Sequence, residues 1–278
     1  MVEEFHYRVP WRATSAYPGH HHSTATGGGQ EFHGHASLIN RPDPRNLDVH
    51  ATLHDPFGEY KVRVFRQNSI IPVYVIADLS ASMGFGCKRK MLARCVAAIA
   101  YSCFRTGDPF GFFAMTDKIE WQLHWPLRHY KSLAFSLPRQ LHNFPPHGAF
   151  PPAWEDVAAN PGRKKALVFL LSDFHFPVEK LTEGLERLQP HDVVPVILWE
   201  KREWQLPKRG IIRLRDPETG YERLLWLRPK LQQKIAQHFQ NRRRQLTQLC
   251  RRYGRPPLWV IDHFSPQDFT RYFVETCA

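Results

Sequence analysis

Oxygen donors are the residues best placed to do chemistry in this sequence. Asp78, Ser80 and Ser82 recur at every second position of Asp78-Leu79-Ser80-Ala81-Ser82, a spacing that aims one carboxylate and two hydroxyls to the same side of the chain. Asp173 offers a second carboxylate where another apolar run, Ala166 to Leu171, gives way to Ser172. Two carboxylates and two hydroxyls, with waters completing a near-octahedral shell, suit Mg²⁺ or Mn²⁺ better than zinc. The same residues are equally suited to satisfying backbone donors at a strand-to-helix turn. Spacing alone leaves both readings open.

A second chemistry is electrostatic. Residues 201–255 hold 16 Lys/Arg against 4 Asp/Glu, and the rest of the chain balances 22 against 22. The whole formal charge of +12 is therefore local, and Arg242, Arg243 and Arg244 are its densest run. Such a segment reads as a docking face for an acidic protein, a phosphate-binding stripe or a solvated helix face. Trp204, Tyr221 and Trp226 lie within it. Trp226 stands among Leu224, Leu225 and Leu227 and reads as a packing residue rather than a stacking platform, so nucleic-acid binding is expected to be weak and unselective.

Enzyme patterns are missing. A phospho-aspartyl enzyme needs Asp-x-Asp, and Ser80 holds the second acid's position. Gly84-Phe85-Gly86-Cys87-Lys88 lacks the spacing and the Ser/Thr of a phosphate-binding loop. No nucleophile and base pair stands near Asp78, so the chain is expected not to be an enzyme. His20, His21, His22, His33 and His35 have no regular zinc spacing and read as a polar loop. Cys87, near a helix start, is a candidate reactive thiol but reads as a packing or exposed residue.

These groups need a scaffold. Ile70 to Ala77 is a short apolar run ending in Asp78, the pattern of a fully buried strand, and Ala166 to Leu171 repeats it ahead of Asp173. Val193 to Trp199 and Leu258 to Ile261 read the same way, while Phe110 to Met115 and Ile119 to Trp125 flank a short turn as a hairpin. Helical spacing runs from Lys88 to Phe104, near Tyr130 to Leu141, from about Val178 to Leu188 and from Gln267 to Val274. Pro229 opens a long basic helix, about 229–253, that Gly254 and Pro256 close. The pattern predicts an α/β fold: a mostly parallel, doubly wound, Rossmann-type sheet over 70–278, with a β-hairpin inserted at about 210–227. Residues 1–69 are rich in His, Gly and Pro and read as a β-rich or irregular N-terminal region. In the basic helix Leu231, Ile235, Phe239, Leu246, Leu249 and Tyr253 form an apolar stripe whose gap falls at Arg242 and Arg243, so an arginine should lie beside the buried face.

No stretch approaches the length of a membrane span, and the first residues lack the basic and then apolar regions of a signal peptide. The five cysteines are scattered and odd in number, which fits reduced thiols. A soluble cytoplasmic protein is expected.

The sequence resembles a known family. Asp78-Leu79-Ser80-Ala81-Ser82-Met83 resembles the metal-ion-dependent adhesion site of von Willebrand factor A domains, and Leu170-Leu171-Ser172-Asp173 resembles the strand carrying its distal Asp. Gly27 to Phe32, Asp43 to Asp48, Val62 to Arg66 and Leu214 to Gly220 narrow the likeness to the bacterial and archaeal family called domain of unknown function fifty-eight, often associated with MoxR-type AAA+ ATPases. The resemblance implies a von Willebrand A fold with a divalent cation on Ser80 and Ser82, and with Asp78 and Asp173 acting directly or through water. The family's loop Thr is missing: residues 118–165 contain none, and His147-Gly148-Ala149-Phe150 takes its place. A non-enzymatic adaptor is therefore expected, offering its Mg²⁺ or Mn²⁺ to an acidic protein ligand and using Arg242, Arg243 and Arg244 to engage a MoxR-type AAA+ ATPase. Its client would be a metalloenzyme complex, with methanol dehydrogenase maturation as one candidate. The alternative is a nucleic-acid-binding module built on 201–255.

Overall fold

The computed structural model describes residues 3–15, 17–24, 26–27, 31–148, 154–207, 210–215 and 220–277. The chain divides into two compact units, residues 9–71 and residues 1–8 with 72–278.

The smaller unit contains β1 (Pro18–His21), β2 (Thr26–Gly27), β3 (Glu31–Ser37), the short α1 (Val49–Leu53) and β4 (Lys61–Arg66). β2, β4 and β3 form an antiparallel three-stranded sheet. Asp48 organises its helix: the carboxylate accepts from the Ala51 N–H at 3.0 Å and pairs with Arg63 Nε at 2.8 Å and His35 Nε2 at 3.0 Å. The histidines expected in a polar loop largely lie in strands instead, His20 and His21 in β1 and His33 and His35 in β3.

The larger unit follows the apolar runs. Its elements are β5 (Val73–Asp78), α2 (Lys88–Thr106), β6 (Phe110–Met115), β7 (Ile119–Arg128), α3 (Leu133–Asn143), α4 (Trp154–Ala159), β8 (Leu167–Ser172), α5 (Val178–Arg187) and β9 (Asp192–Trp199). After them come β10 (Gly210–Arg215), β11 (Glu222–Leu227), α6 (Pro229–Arg252), β12 (Leu258–Ile261) and α7 (Pro266–Thr276). Six strands pair in the order β12-β9-β8-β5-β6-β7, all parallel except the β6–β7 hairpin. β5, β6 and β8 are buried at every residue, because a parallel sheet covered on both faces leaves no solvent side for polar alternation. Tyr74, Ile76, Val168 and Leu170 pack with Trp154 of α4, Leu181 and Leu185 of α5 and Leu246 of α6. Phe169 points to the opposite face and meets Phe5 and Phe273, the latter on α7.

Two expectations need correction. Residues 1–8 were read with the N-terminal region, yet they belong to the larger unit. Phe5 is 2% exposed and touches Phe169, Phe269 and Phe273, and its N–H donates to Ser102 Oγ at 3.0 Å. Burial of one aromatic ring outweighs the polar text around it. Trp226, read as a packing residue, is 67% exposed. Among the described residues β10 and β11 pair only with each other, so the hairpin is not part of the central sheet that could bury the ring. The turn residues Asp216 to Thr219 lie outside the described residues.

Candidate functional site

β5 and β8 are hydrogen-bonded neighbours, although α2, β6, β7, α3 and α4 separate them along the chain. The chain runs outward from β5 through β6 and β7 and then returns to its other side at β8, so the strand order reverses between these two strands. Ligands of open parallel sheets bind at the carboxyl ends beside such a reversal. Asp78 ends β5 and Asp173 follows β8.

Both carboxyls are buried, and their surroundings differ. Asp78 Oδ1 accepts from the Ser80 N–H at 2.8 Å, and Oδ2 accepts from the Ser172 hydroxyl at 2.6 Å. Burial lifts the Asp78 carboxyl to about 7, and the Asp173 charge pushes in the same direction. For Asp173, burial also acts upward. The positive charges of His175 and Lys88, with hydrogen bonds from Lys88 and Ser82, outweigh it and hold this carboxylate below its usual range. Ser80 Oγ and Ser82 Oγ lie 3.1 Å apart. Asp78, Ser80, Ser82 and Asp173 thus share one hydrogen-bonded cluster.

Lys88 is the member that motif reading missed. Its side chain is 2% exposed, with Nζ 2.8 Å from Asp173 Oδ2 and 2.5 Å from Glu203 Oε1. Glu203 Oε2 is 3.0 Å from His175 Nε2, and His175 stacks on Trp199, whose indole N–H donates to the Asp173 carbonyl at 2.7 Å. Lys88 is also the first residue of α2, at the positive end of a helix whose first turn has no acid. A cation there opposes the helix dipole. That mismatch was the available sequence signal, and carboxylates from the loops after β8 and β9 resolve it.

The helix start is fastened by Glu200, which follows β9 and accepts the Cys87 N–H. Gly86 has φ of 56°, and a Cβ there would lie 2.2 Å from Glu200 Oε1, so only glycine lets the carboxylate approach. Burial, reinforced by Glu200, pushes the Cys87 thiol up to about 11, so it is protonated at neutral pH. Its Sγ donates to the Asp262 carbonyl at 3.4 Å.

As it stands, this cluster does not fit a divalent cation. Both Asp78 oxygens already accept hydrogen bonds, and the Asp173 carboxylate is neutralised by an ammonium at contact distance. Among the described residues, no three His, Cys, Asp or Glu side chains group to hold a metal. The loop in place of the family's Thr does approach: the His147 N–H donates to the Leu79 carbonyl at 3.1 Å, and the Gly148 carbonyl accepts from the Ala81 N–H at 3.1 Å. Ala149 and Phe150 lie outside the described residues.

The three arginines of α6 divide. Arg242 is half-buried, and its Nη2 donates to the Phe174 carbonyl at 2.7 Å and also to the Phe176 carbonyl. It was expected to face a partner; instead it holds the loop after Asp173, because the apolar stripe of α6 turns this position toward that loop. Phe174 needs holding, since its φ of 53° is left-handed and costly for a side chain with a Cβ. Arg243 and Arg244 are exposed, and the Arg243 guanidinium lies 4.8 Å from the centre of the Trp259 ring.

Comparisons with known proteins bear on this arrangement. The sequence profile of a family described as "Protein of unknown function DUF58" matches residues 45–246. A Paracoccus denitrificans protein, named only as an uncharacterised protein in the moxR 3′ region, is 30% identical over 99 residues, which is 35% of this chain and 94% of that protein. An uncharacterised Mycobacterium tuberculosis protein is 24% identical over 207 residues, 69% of this chain and 65% of the relative's length. Among solved structures, an aerotolerance-related membrane protein of Bacteroides fragilis aligns over 74% of this chain and 98% of its own, at 13% identity and a TM-score of 0.47. BatB of Bacteroides thetaiotaomicron covers the same shares at 12% identity and a TM-score of 0.44. No helix among the described residues is long and apolar enough to cross a membrane.

Proposed function

The chain belongs to the DUF58 family, and from that premise we propose that it is a non-enzymatic interaction protein, von Willebrand A-like in its larger unit, that works in the cytoplasm with a MoxR-type AAA+ ATPase. One observation carries the non-enzymatic reading. At the carboxyl edge of the sheet, where such folds place their chemistry, Asp78 and Asp173 are buried, Asp78 is held by Ser80 and Ser172 and Asp173 is paired with buried Lys88, so among the described residues of this cluster the two carboxylates are already engaged. The link to the ATPase rests on the name of the Paracoccus relative and on the sequence resemblance. Docking falls to the exposed positive face of α6, at Arg243 and Arg244. Charges on such a rim raise the association rate more than they hold the complex.

The test is kinetic, with the purified chain and the MoxR-type ATPase of the same genome. Arg243→Glu with Arg244→Glu is expected to slow association about tenfold at low salt and to change dissociation little. No association of the wild-type pair would reject the reading. A client complex would then be sought as the third component whose activity requires both proteins.

One feature favours nucleic acid as the second reading. Tyr221 and Trp226 are 69% and 67% exposed on the β10–β11 hairpin, where Arg213 and Arg223 are also exposed and the Arg228 guanidinium stands 5.9 Å from the Trp226 ring. Aromatic rings among arginines form a stacking platform. Submicromolar binding of single-stranded oligonucleotides at about 150 mM salt, falling linearly with log salt, would favour this reading over the first.

A further inference from the structure

We propose that Lys88 is the resident cation of the carboxyl-edge cluster, and that the cluster therefore fastens its loops without a divalent metal. This goes beyond the ATPase reading and stands whether or not that partner is correct. The cluster draws on four separate places in the chain: the turn after β5, the first turn of α2, the loop after β8 and the short turn after β9. Nζ of Lys88 lies between the two acids of the last two, 2.8 Å from Asp173 and 2.5 Å from Glu203. The Phe85 ring, 5.9 Å away, covers another side of the ammonium.

Charge and coordination point the same way. An ammonium is a compact point charge with three donors, and here it faces the buried Asp173 and the less buried Glu203 at once, while the His175 imidazole stands 3.0 Å from the far oxygen of Glu203. Mg²⁺ demands six oxygens at about 2.0–2.1 Å in near-octahedral geometry. To bind Asp173 Oδ2 it would have to sit beside the ammonium already in contact with that atom, against the repulsion of two like charges. Removing Lys88 from a position 2% exposed would mean hydrating its charge elsewhere and reopening the start of α2, whose own first turn holds no acid. The hydroxyls of Ser80 and Ser82 are likewise engaged, with each other at 3.1 Å and through Ser82 with Asp173. The loss of the family's loop Thr fits this arrangement, since a tethered cation needs no further hydroxyl ligand.

Thermal denaturation of the full chain with EDTA or with about 5 mM Mg²⁺ or Mn²⁺, together with Mn²⁺ titration followed by electron paramagnetic resonance, tests the proposal. The wild type is expected to melt within about 1 °C in all three conditions and to leave Mn²⁺ free. Lys88→Met leaves Asp173 and Glu203 without their cation, so this variant should gain stability from Mn²⁺ and bind it. If Lys88→Met alone does not fold, Mn²⁺ during refolding should rescue it, and Lys88→Met with Asp173→Asn should fold without metal. A wild type that metal stabilises, with the gain lost in Asp78→Ala, overturns the proposal. So does a folded Lys88→Met that ignores metal, or failure of both the Mn²⁺ rescue and the double variant.

Discussion

Asp78 sets the pH behaviour of the carboxyl edge. Its folded carboxyl, lifted by burial to about 7, holds a proton that an unfolded aspartate releases near its ordinary value of 3.8. A raised acid contributes stability that is full below the unfolded value and is lost as pH rises through the folded one. Asp78→Asn keeps the shape and removes the titration. The wild-type urea midpoint is therefore expected to fall between pH 5 and pH 8 by more than that of the variant, and parallel profiles would show that Asp78 is already ionised at pH 5. Arg242 acts at the same scale. Its guanidinium holds the left-handed Phe174 through backbone carbonyls, so Arg242→Ala should cost about 1.5–3 kcal/mol in chemical denaturation. Arg243→Ala and Arg244→Ala should stay within about 0.5 kcal/mol, as exposed substitutions do.

Elements differ in what their residues support. The β10–β11 hairpin pairs six residues on each arm, yet Ile211, Leu224 and Trp226 are largely exposed, and among the described residues its strands pair with no further strand. Trp226→Ala should therefore leave the melting temperature nearly unchanged while weakening whichever partner the hairpin meets. α5 is the opposite case. Gly184 faces Trp154 of α4 so closely that a Cβ would stand 2.4 Å from the indole ring, and Trp154 is 1% exposed with no room to retreat. Gly184→Ala is expected to destabilise by about 1–3 kcal/mol despite its better helix propensity, measured by urea unfolding. A neutral or stabilising result would mean that α4 shifts freely on α5.

Across the whole larger unit, the start of the chain closes the core near its end. Phe5 inserts between Phe169 in the sheet and Phe269 and Phe273 in α7, and Arg255 binds both oxygens of Asp192 and the carbonyl of Arg8. Phe5→Ala should cost about 3–5 kcal/mol, the range for truncating a buried aromatic ring, whereas exposed Phe135 on α3 should tolerate alanine. Equal, small effects at the two positions would show that the first eight residues are dispensable for folding. The long closure of this contact is also what local patterning cannot encode, since nothing near Phe5 repeats with a strand or helix period.

The sequence by itself determined the strands of the larger unit, its helices apart from the short α4, and the points at which Asp78 and Asp173 leave the sheet. Buried parallel strands are uninterrupted apolar runs, helices keep an apolar stripe, and both are local signals that survive without knowledge of the fold. Asp-x-Ser-x-Ser marked the turn for the same reason. Only the tertiary structure decided that β5 and β8 are neighbours, that Arg242 donates to the backbone of the loop after Asp173, and that Trp226 is largely exposed. It also decided the occupant of the cluster. Lys88 meets Asp173 across 85 residues of chain, and a lysine at the start of a helix reads as solvated until folding places two carboxylates around it. Burial periodicity is written along the chain, but the pairing of a buried charge depends on which loops the sheet order brings together.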